Sequence, residues 1–219
     1  MSSRAAVPNE QIESALQWRY ATKKYDATRK ISPTDWNTLK QSLVHAPSSY
    51  GLQPLRYLVI ETPDLRAKLR EVSWGQTIIT DASKLVVILS KEKVNETDVE
   101  HYIERIATVR KIPKESLAGY RDMMVQNVAK GMTPEISADW TRRQAYIALG
   151  FLIETAALLK IDATPIEGFD PAAYNKLLGL EGSGWRTAVI ATLGYRHADD
   201  ATQSYKKVRF EHSELIETR

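Results

Sequence analysis

The sequence predicts an α+β fold in which a small central sheet is surrounded by helices. Several segments begin with a capping residue followed by proline, a pattern typical of helix N-termini, whereas only four short apolar segments have the composition of strands. Two of these strands are almost continuously apolar, which indicates that both faces of the sheet are covered. With 219 residues, 43% of them apolar, the chain fits one domain, residues 1–219, with a substantial core.

The helices are predicted from capping residues and apolar spacing. The first helix is predicted over Glu10–Thr22, with Ile12 and Leu16 on an inward face. The next five are predicted to begin at Ser32-Pro33, Thr62-Pro63, Asn95, Thr133-Pro134 and Asp170-Pro171, the last ending near Gly179. Because proline at the first turn lacks only an amide that would be unpaired anyway, these starts are well defined.

Four segments are predicted to be strands: Arg56–Ile60, Leu85–Leu89, Ala163–Ile166 and Ala188–Leu193. A further segment, Ala145–Leu159, is apolar on almost every side of a helix, which predicts burial all round. It is too short to span a membrane. It can be a central core helix, a helix shared with a partner subunit, or both.

Composition excludes several classes of function. The net charge of +3 is too small to indicate nucleic-acid binding, and no apolar segment is long enough for a membrane span. The chain has no cysteine, which excludes thiol chemistry and fits a reducing, cytoplasmic setting. Its four histidines are scattered, so no metal site is predicted. It has no strand-associated Gly-x-Gly-x-x-Gly, Gly-x-Ser-x-Gly or phosphate-loop motif.

Basic residues cluster near both ends of the chain. Arg19 and Lys23 are four residues apart, which places them on one face of the predicted first helix. Lys207 and Arg209 are two apart, which places both side chains on one side of an extended strand. Each cluster can be an ordinary solvated face. Alternatively, the two clusters meet around one anion such as a phosphate, which arginine binds through two hydrogen bonds.

Two loops combine conformational freedom with polar groups. Residues 46–54 contain prolines, serines and a glycine, so Ser48 and Ser49 can present hydroxyls and amides. Pro165–Phe169 follows a strand, and Gly168 there allows a backbone to approach a flat ring closely. Taken alone, each loop can also be an ordinary turn.

In this order and at these separations, Arg19–Lys23, Ala46–Ser49, Pro165–Phe169 and Lys207–Arg209 resemble the FMN-dependent nitroreductase family. The resemblance extends from about Gln17 to about Phe210. It implies a mainly antiparallel sheet, an intertwined homodimer around a long buried helix, and FMN as cofactor. It also implies ping-pong hydride transfer at flavin N5, from NADH or NADPH to a nitroaromatic, quinone or similar flat acceptor, without a catalytic side chain.

The resemblance assigns the cofactor to residues Arg19, Tyr20, Ala21, Thr22, Lys23, Pro47, Ser48, Ser49, Gln76, Glu167, Gly168, Lys207 and Arg209. Within this set, it implies that the cations Arg19, Lys207 and Arg209 meet the phosphate, and that the amides of Glu167 and Gly168 lie beside N5 and O4. The loop at Pro47 is implied to serve the opposite subunit's flavin, and Gln76 the pyrimidine edge.

Two departures from the family pattern concern specificity. Tyr20 and Ala21 stand where some members have histidine and serine. The segment Lys111–Met132 matches poorly, although it should overhang the substrate; its candidate substrate contacts are Tyr120, Met123 and Met124, whose spacing also suits core packing.

Other functions stay open at this point. The same fold serves flavin-destructive enzymes and iodotyrosine deiodinases. A different class, a non-catalytic helical dimeric binding protein, also fits the apolar helix. The colour of the purified protein separates these classes, because both kinds of enzyme would be yellow with bound flavin.

Overall fold

The computed structural model describes residues 7–219, which form a four-stranded sheet covered by helices. The strands are β1 (Leu55–Ile60), β2 (Lys84–Lys91), β3 (Asp162–Ile166) and β4 (Trp185–Gly194). Their order is β1-β2-β4-β3, and all three neighbouring pairs are antiparallel. The predicted α+β class and the antiparallel sheet are confirmed.

The described helices are α1 (Asn9–Trp18), α2 (Pro33–Val44), α3 (Pro63–Glu71), α4 (Ile78–Asp81), α5 (Glu96–Arg110), α6 (Ala118–Met124), α7 (Pro134–Leu158), α8 (Pro171–Leu177) and α9 (His212–Leu215). The predicted starts of α2, α3, α5, α7 and α8 are confirmed. The Ser32 side chain accepts from the Asp35 amide, and Asn95 forms a capping box with Asp98. The short α4 and α6 have too few residues to give a periodic signal, so sequence reasoning missed them.

The core lies on both faces of the sheet because alternate residues of a strand point to opposite sides. Val86 and Ile88 of β2 pack in a cluster that includes residues of α2 and α7. Leu85 and Val87 pack on the other face, in a cluster that includes residues of α3, α4 and α8. A third cluster forms between α5 and α6 and includes Met124. The expectation that β2 and β4 are covered on both faces is therefore confirmed.

The first helix is shorter than predicted. It ends at Trp18, and Arg19 already has extended backbone angles (φ −71°, ψ 141°). The chain leaves the helix because the following segment runs inward, with Thr22 buried and its hydroxyl bonded to Asp162. The inward face also differs from the prediction, since Ala15 is buried whereas Leu16 is 47% exposed.

Burial of the Ala145–Leu159 segment on every side is wrong for the single chain. Within α7, Tyr146, Ile147 and Phe151 are 36%, 40% and 45% exposed. They lie at positions i, i+1 and i+5, which form one stripe along a helix. The opposite side packs in the core, where Ala148 and Leu152 are fully buried. We call Tyr146, Ile147 and Phe151 the apolar stripe of α7.

Among residues 7–219, the structure contains no helix that is both long and apolar enough to cross a bilayer.

Candidate functional site

A segment near the N-terminus and a segment near the C-terminus meet at a cavity of about 470 Å³. Its walls are the end of α1, the extended segment after it, and the C-terminal tail; the lining residues are Gln17, Trp18, Arg19, Tyr20, Ala21, Thr202, Gln203, Tyr205, Lys206, Lys207 and Arg209. Five of the thirteen residues predicted to bind a cofactor are in this set, namely Arg19, Tyr20, Ala21, Lys207 and Arg209. Although they lie almost 190 positions apart in sequence, the tertiary fold brings them together.

Arg19, Lys207 and Arg209 line this cavity and form no salt bridge with any residue in the range 7–219. Arg19 is half-buried, and its buried Nε has no hydrogen-bond partner among the described residues. Burial and the charge of Arg209 lower the pKa of Arg19. Burial, followed by the charges of Arg19 and Arg209, lowers the pKa of Lys207. Each positive charge raises the electrostatic free energy of keeping the other two charged in this partly buried place. A bound anion would lower that free energy, so the cluster is chemically suited to an anion.

Lys207 also fixes the tail to the first helix. Its ammonium donates to the carbonyl oxygen of Leu16 at 2.7 Å and to that of Arg19. These carbonyls lie at the C-terminus of α1, where a cation is favoured by unpaired acceptors and by the helix dipole. Lys207 therefore holds Arg19 and the tail in one arrangement.

Thr22 and Lys23 do not face this cavity. The Thr22 hydroxyl donates to Asp162 at 3.2 Å, and the Thr22 side chain is fully buried. The Lys23 side chain is exposed, and its backbone amide donates to Asp200 at 2.8 Å. The Thr22 hydroxyl is therefore turned into the core, and the assignment of Thr22 to the cofactor stays a prediction.

The loop after β3 presents free backbone donors. The amides of Glu167 and Gly168 donate no hydrogen bond within residues 7–219. The Gln76 side-chain nitrogen donates to the carbonyl oxygens of Gly168 at 2.7 Å and Ser73 at 3.0 Å. Since both amide hydrogens of Gln76 are used to hold the loop, its Oε1 is the atom left for an external donor.

Gly168 is needed because Trp74 packs against it. A Cβ at Gly168 would lie 2.6 Å from Cζ3 of Trp74 and 3.2 Å from Nε2 of Gln76. Trp74 is 77% exposed and has a left-handed backbone (φ 55°), as does the adjacent Gly75 (φ 71°). Sequence reasoning missed this contact; the only local signal was the Trp74-Gly75 pair, which marks a turn.

Tyr146 is a second residue that sequence reasoning missed at this loop. Its hydroxyl donates to the Glu167 carboxylate. Burial and this hydrogen bond raise the pKa of Tyr146 to about 12, so the phenol stays protonated at neutral pH. Tyr146 belongs to the apolar stripe of α7, and this bond therefore connects the loop to that stripe.

The Pro47–Ser49 loop lies outside the cavity in the single chain. The Ser49 amide donates to Oε1 of Gln144 at 2.9 Å, and the Gln53 amide donates to the Ser48 hydroxyl at 2.9 Å. Tyr50, Gly51 and Gln53 all have positive φ angles. The loop is thus anchored to α7 in a defined conformation.

The candidate substrate residues have different environments. Met123 is 41% exposed, and half-buried Tyr120 donates to the carbonyl oxygen of Tyr50 at 2.7 Å. Met124 is fully buried in the third core cluster. The expectation that Met124 lines a substrate pocket is wrong, because its side chain is used in packing. The surrounding segment forms a 3₁₀ turn, α6 and a π-helical turn over Val125–Lys130.

The donor set of the cavity fits a phosphate. Guanidinium and ammonium groups are the side chains that bind phosphate most strongly, and the buried Nε of Arg19 has no acceptor among residues 7–219. No cluster of three His, Cys, Asp or Glu side chains suited to a metal ion occurs within the part of the chain that the structure describes.

Comparison with known proteins defines the class. The model of the nitroreductase family matches residues 16–195, and the chain belongs to this family. It is therefore a nitroreductase-type oxidoreductase. A Staphylococcus saprophyticus protein provisionally named an NAD(P)H nitroreductase is 36% identical over 215 residues, which cover 94% of this chain and 95% of that protein. A Bacillus subtilis protein with the same provisional name, YfkO, is 32% identical and covers 86% of this chain and 90% of its own.

Solved structures agree on the fold. A nitroreductase-like protein from Streptococcus mutans has a TM-score of 0.82 at 18% identity, covering 96% of this chain and 98% of that one. A provisionally assigned nitroreductase from Exiguobacterium sibiricum, solved in complex with FMN, has a TM-score of 0.78 at 17% identity, covering 100% of both chains.

Proposed function

We propose that the protein is an NAD(P)H-dependent FMN oxidoreductase that reduces nitroaromatics, quinones or similar flat acceptors. The single observation that carries the proposal is the cluster of Arg19, Lys207 and Arg209, in which the buried Arg19 Nε finds no acceptor within the described part of the chain. The provisional names of the relatives and the FMN complex of a protein with the same fold support it.

The chain's own residues would bind and orient the cofactor. Arg19, Lys207 and Arg209 would hold the FMN phosphate, while the unpaired amides of Glu167 and Gly168 would face the isoalloxazine edge. Oε1 of Gln76 would accept from the pyrimidine edge. FMN, when bound, supplies the hydride chemistry at N5 in both half-reactions.

Oriented amides at that edge stabilise charge without a proton-donating side chain. The reaction then needs only positioning and electrostatics from the protein. A ping-pong order follows because the nicotinamide and the flat acceptor use the same face of the site in turn.

A homodimer completes this proposal. The apolar stripe of α7 leaves Ile147 and Phe151 at least 40% exposed, although such side chains are usually buried. A second copy that covers this stripe would also bring the Pro47–Ser49 loop to the partner's flavin. The loop's anchor on Gln144 of α7 connects it to the same helix.

The first test is the visible spectrum of the purified protein after incubation with FMN and desalting. Retention of about one FMN per chain, bleached by NADH or NADPH and restored by a quinone or nitroaromatic, supports the proposal. A colourless protein that takes up no FMN contradicts it and favours a non-catalytic binding protein.

A further inference from the structure

We propose that Asp200 is a positioning residue that holds the two halves of the cationic cluster in register and thereby sets the affinity for the cofactor phosphate. This inference rests on the proposed function. It concerns a buried carboxylate that lies behind the cavity wall.

The Asp200 carboxylate accepts five hydrogen bonds from donors in two separate segments. Its Oδ2 accepts from the Tyr20 hydroxyl at 3.0 Å and from the amides of Lys23 and Lys24 at 2.8 and 3.2 Å. Its Oδ1 accepts from the amide and the hydroxyl of Thr202 at 3.0 and 2.6 Å. The residue is only 3% exposed, so these bonds are shielded from water.

These two segments carry the two halves of the cluster. The Tyr20–Lys24 segment directly follows Arg19. The turn Ala201–Ser204, which Asp200 caps, leads into the tail with Lys207 and Arg209. A change in the position of the carboxylate would therefore shift Arg19 relative to the tail cations. Binding groups need placement within about 0.5 Å, which depends on such supporting contacts.

The carboxylate is charged over the whole physiological range. Burial by itself would raise its pKa, but the hydrogen bonds from Thr202 and from the amides of Lys23 and Lys24 lower the pKa of Asp200 to about 2. The geometry thus places a fixed negative charge close to a site for an anion.

A second buried carboxylate fixes the same segment from the other side. Asp162, 3% exposed, accepts from the Thr22 hydroxyl and from the Arg196 guanidinium at 2.6 and 2.9 Å. That guanidinium lies 4.3 Å from the Trp18 ring centre and 4.5 Å from the Tyr20 ring centre. The Tyr20 ring is therefore held in place, with its hydroxyl directed at Asp200.

Charge and geometry predict opposite effects for Asp200→Asn. If Asp200 acted only through its charge, removing that charge would strengthen phosphate binding. If Asp200 positions the cluster, the substitution weakens phosphate binding. The amide nitrogen that replaces one carboxylate oxygen is itself a donor, so it cannot accept the hydrogen bonds that the oxygen accepted.

The experiment titrates purified wild type, Asp200→Asn and Asp199→Asn with FMN and with riboflavin, which lacks the phosphate. Asp199 is a matched control, since it is adjacent, has a side chain that is 73% exposed, and pairs with Lys24. We expect Asp200→Asn to raise the FMN dissociation constant about tenfold, the loss of one charge-assisted hydrogen bond, with riboflavin changed less than about twofold. Asp199→Asn should change neither constant by more than about twofold.

Three results would overturn the inference. They are unchanged or tighter FMN binding in Asp200→Asn, an equal loss for both flavins, and an equal selective loss in the control. If Asp200→Asn does not fold, Tyr20→Phe gives the answer, because it keeps the ring against Arg196 and removes one donor to Asp200. It should lower the preference for FMN over riboflavin about threefold, and an unchanged preference refutes the inference. Failure of the wild type to bind either flavin refutes the proposed function instead.

Discussion

Replacement of Arg19 by alanine should leave the stability of the ligand-free protein almost unchanged but strongly weaken cofactor binding. In the ligand-free protein, Arg19 has a buried Nε without a partner among the described residues and lies beside the like charges of Arg209 and Lys207. An unsatisfied buried donor costs about 1–3 kcal/mol, which roughly offsets the packing of the arginine stem that alanine loses. Arg19→Ala should therefore leave the free energy of unfolding within about 1 kcal/mol of wild type.

The effect on FMN should be much larger. A hydrogen bond between a guanidinium and a phosphate contributes about 1.5–3 kcal/mol, which corresponds to about 10- to 150-fold in the dissociation constant. The assay pairs FMN titration by fluorescence quenching with thermal unfolding of the ligand-free protein in one buffer. Lys24→Ala is the matched control, because it removes a nearby positive charge whose side chain pairs with Asp199.

The measurement would refute the phosphate assignment if Arg19→Ala bound FMN as tightly as wild type. The phosphate assignment would also be refuted if Lys24→Ala lost as much affinity for FMN as Arg19→Ala, since the loss would then reflect the net positive charge of the region and not a specific contact. A large drop in the stability of ligand-free Arg19→Ala would show that Arg19 has a structural partner in solution.

Other expectations concern the loop, the apolar stripe and acid stability. Glu167→Gln should keep most NADH- and NADPH-dependent reduction because the backbone amide is retained. Gly168→Val should lose FMN binding, since its Cβ would lie 2.6 Å from Trp74. If flavin reduction were abolished in FMN-loaded Glu167→Gln, the Glu167 carboxylate would be catalytic. Phe151→Glu should shift the sedimenting species from dimer to monomer, and an unchanged dimer contradicts the proposed interface. The pKa of Asp200 is lowered from 3.8 to about 2, so its carboxylate should stabilise the fold fully above pH 3.8 and lose that contribution as the pH falls towards 2. The difference in the free energy of unfolding between wild type and Asp200→Asn should therefore shrink over that pH interval. A constant difference would refute the assignment.

Local chemistry was sufficient to predict five helix starts and the four strands. Prolines at first turns and the Asn95 cap give the helix starts, because these effects depend on a few neighbouring residues. The apolar composition of β2 and β4 gives their burial. The end of α1 could not be predicted, since the segment after it is held by contacts with distant residues, such as the bond from Thr22 to Asp162, which is 140 residues away.

The candidate site, like the secondary structure, was predicted from the sequence only in part. The sequence by itself determined the α+β class, the strands and the residue types suited to a phosphate and a flat ring, because composition and spacing carry that information. Only the tertiary structure decided that Arg19 and Lys207 share a cavity, that Met124 is core and that Asp200 joins the two segments. Those facts depend on contacts between residues far apart in the chain, which become defined when burial and hydrogen bonding fix one arrangement of the whole fold.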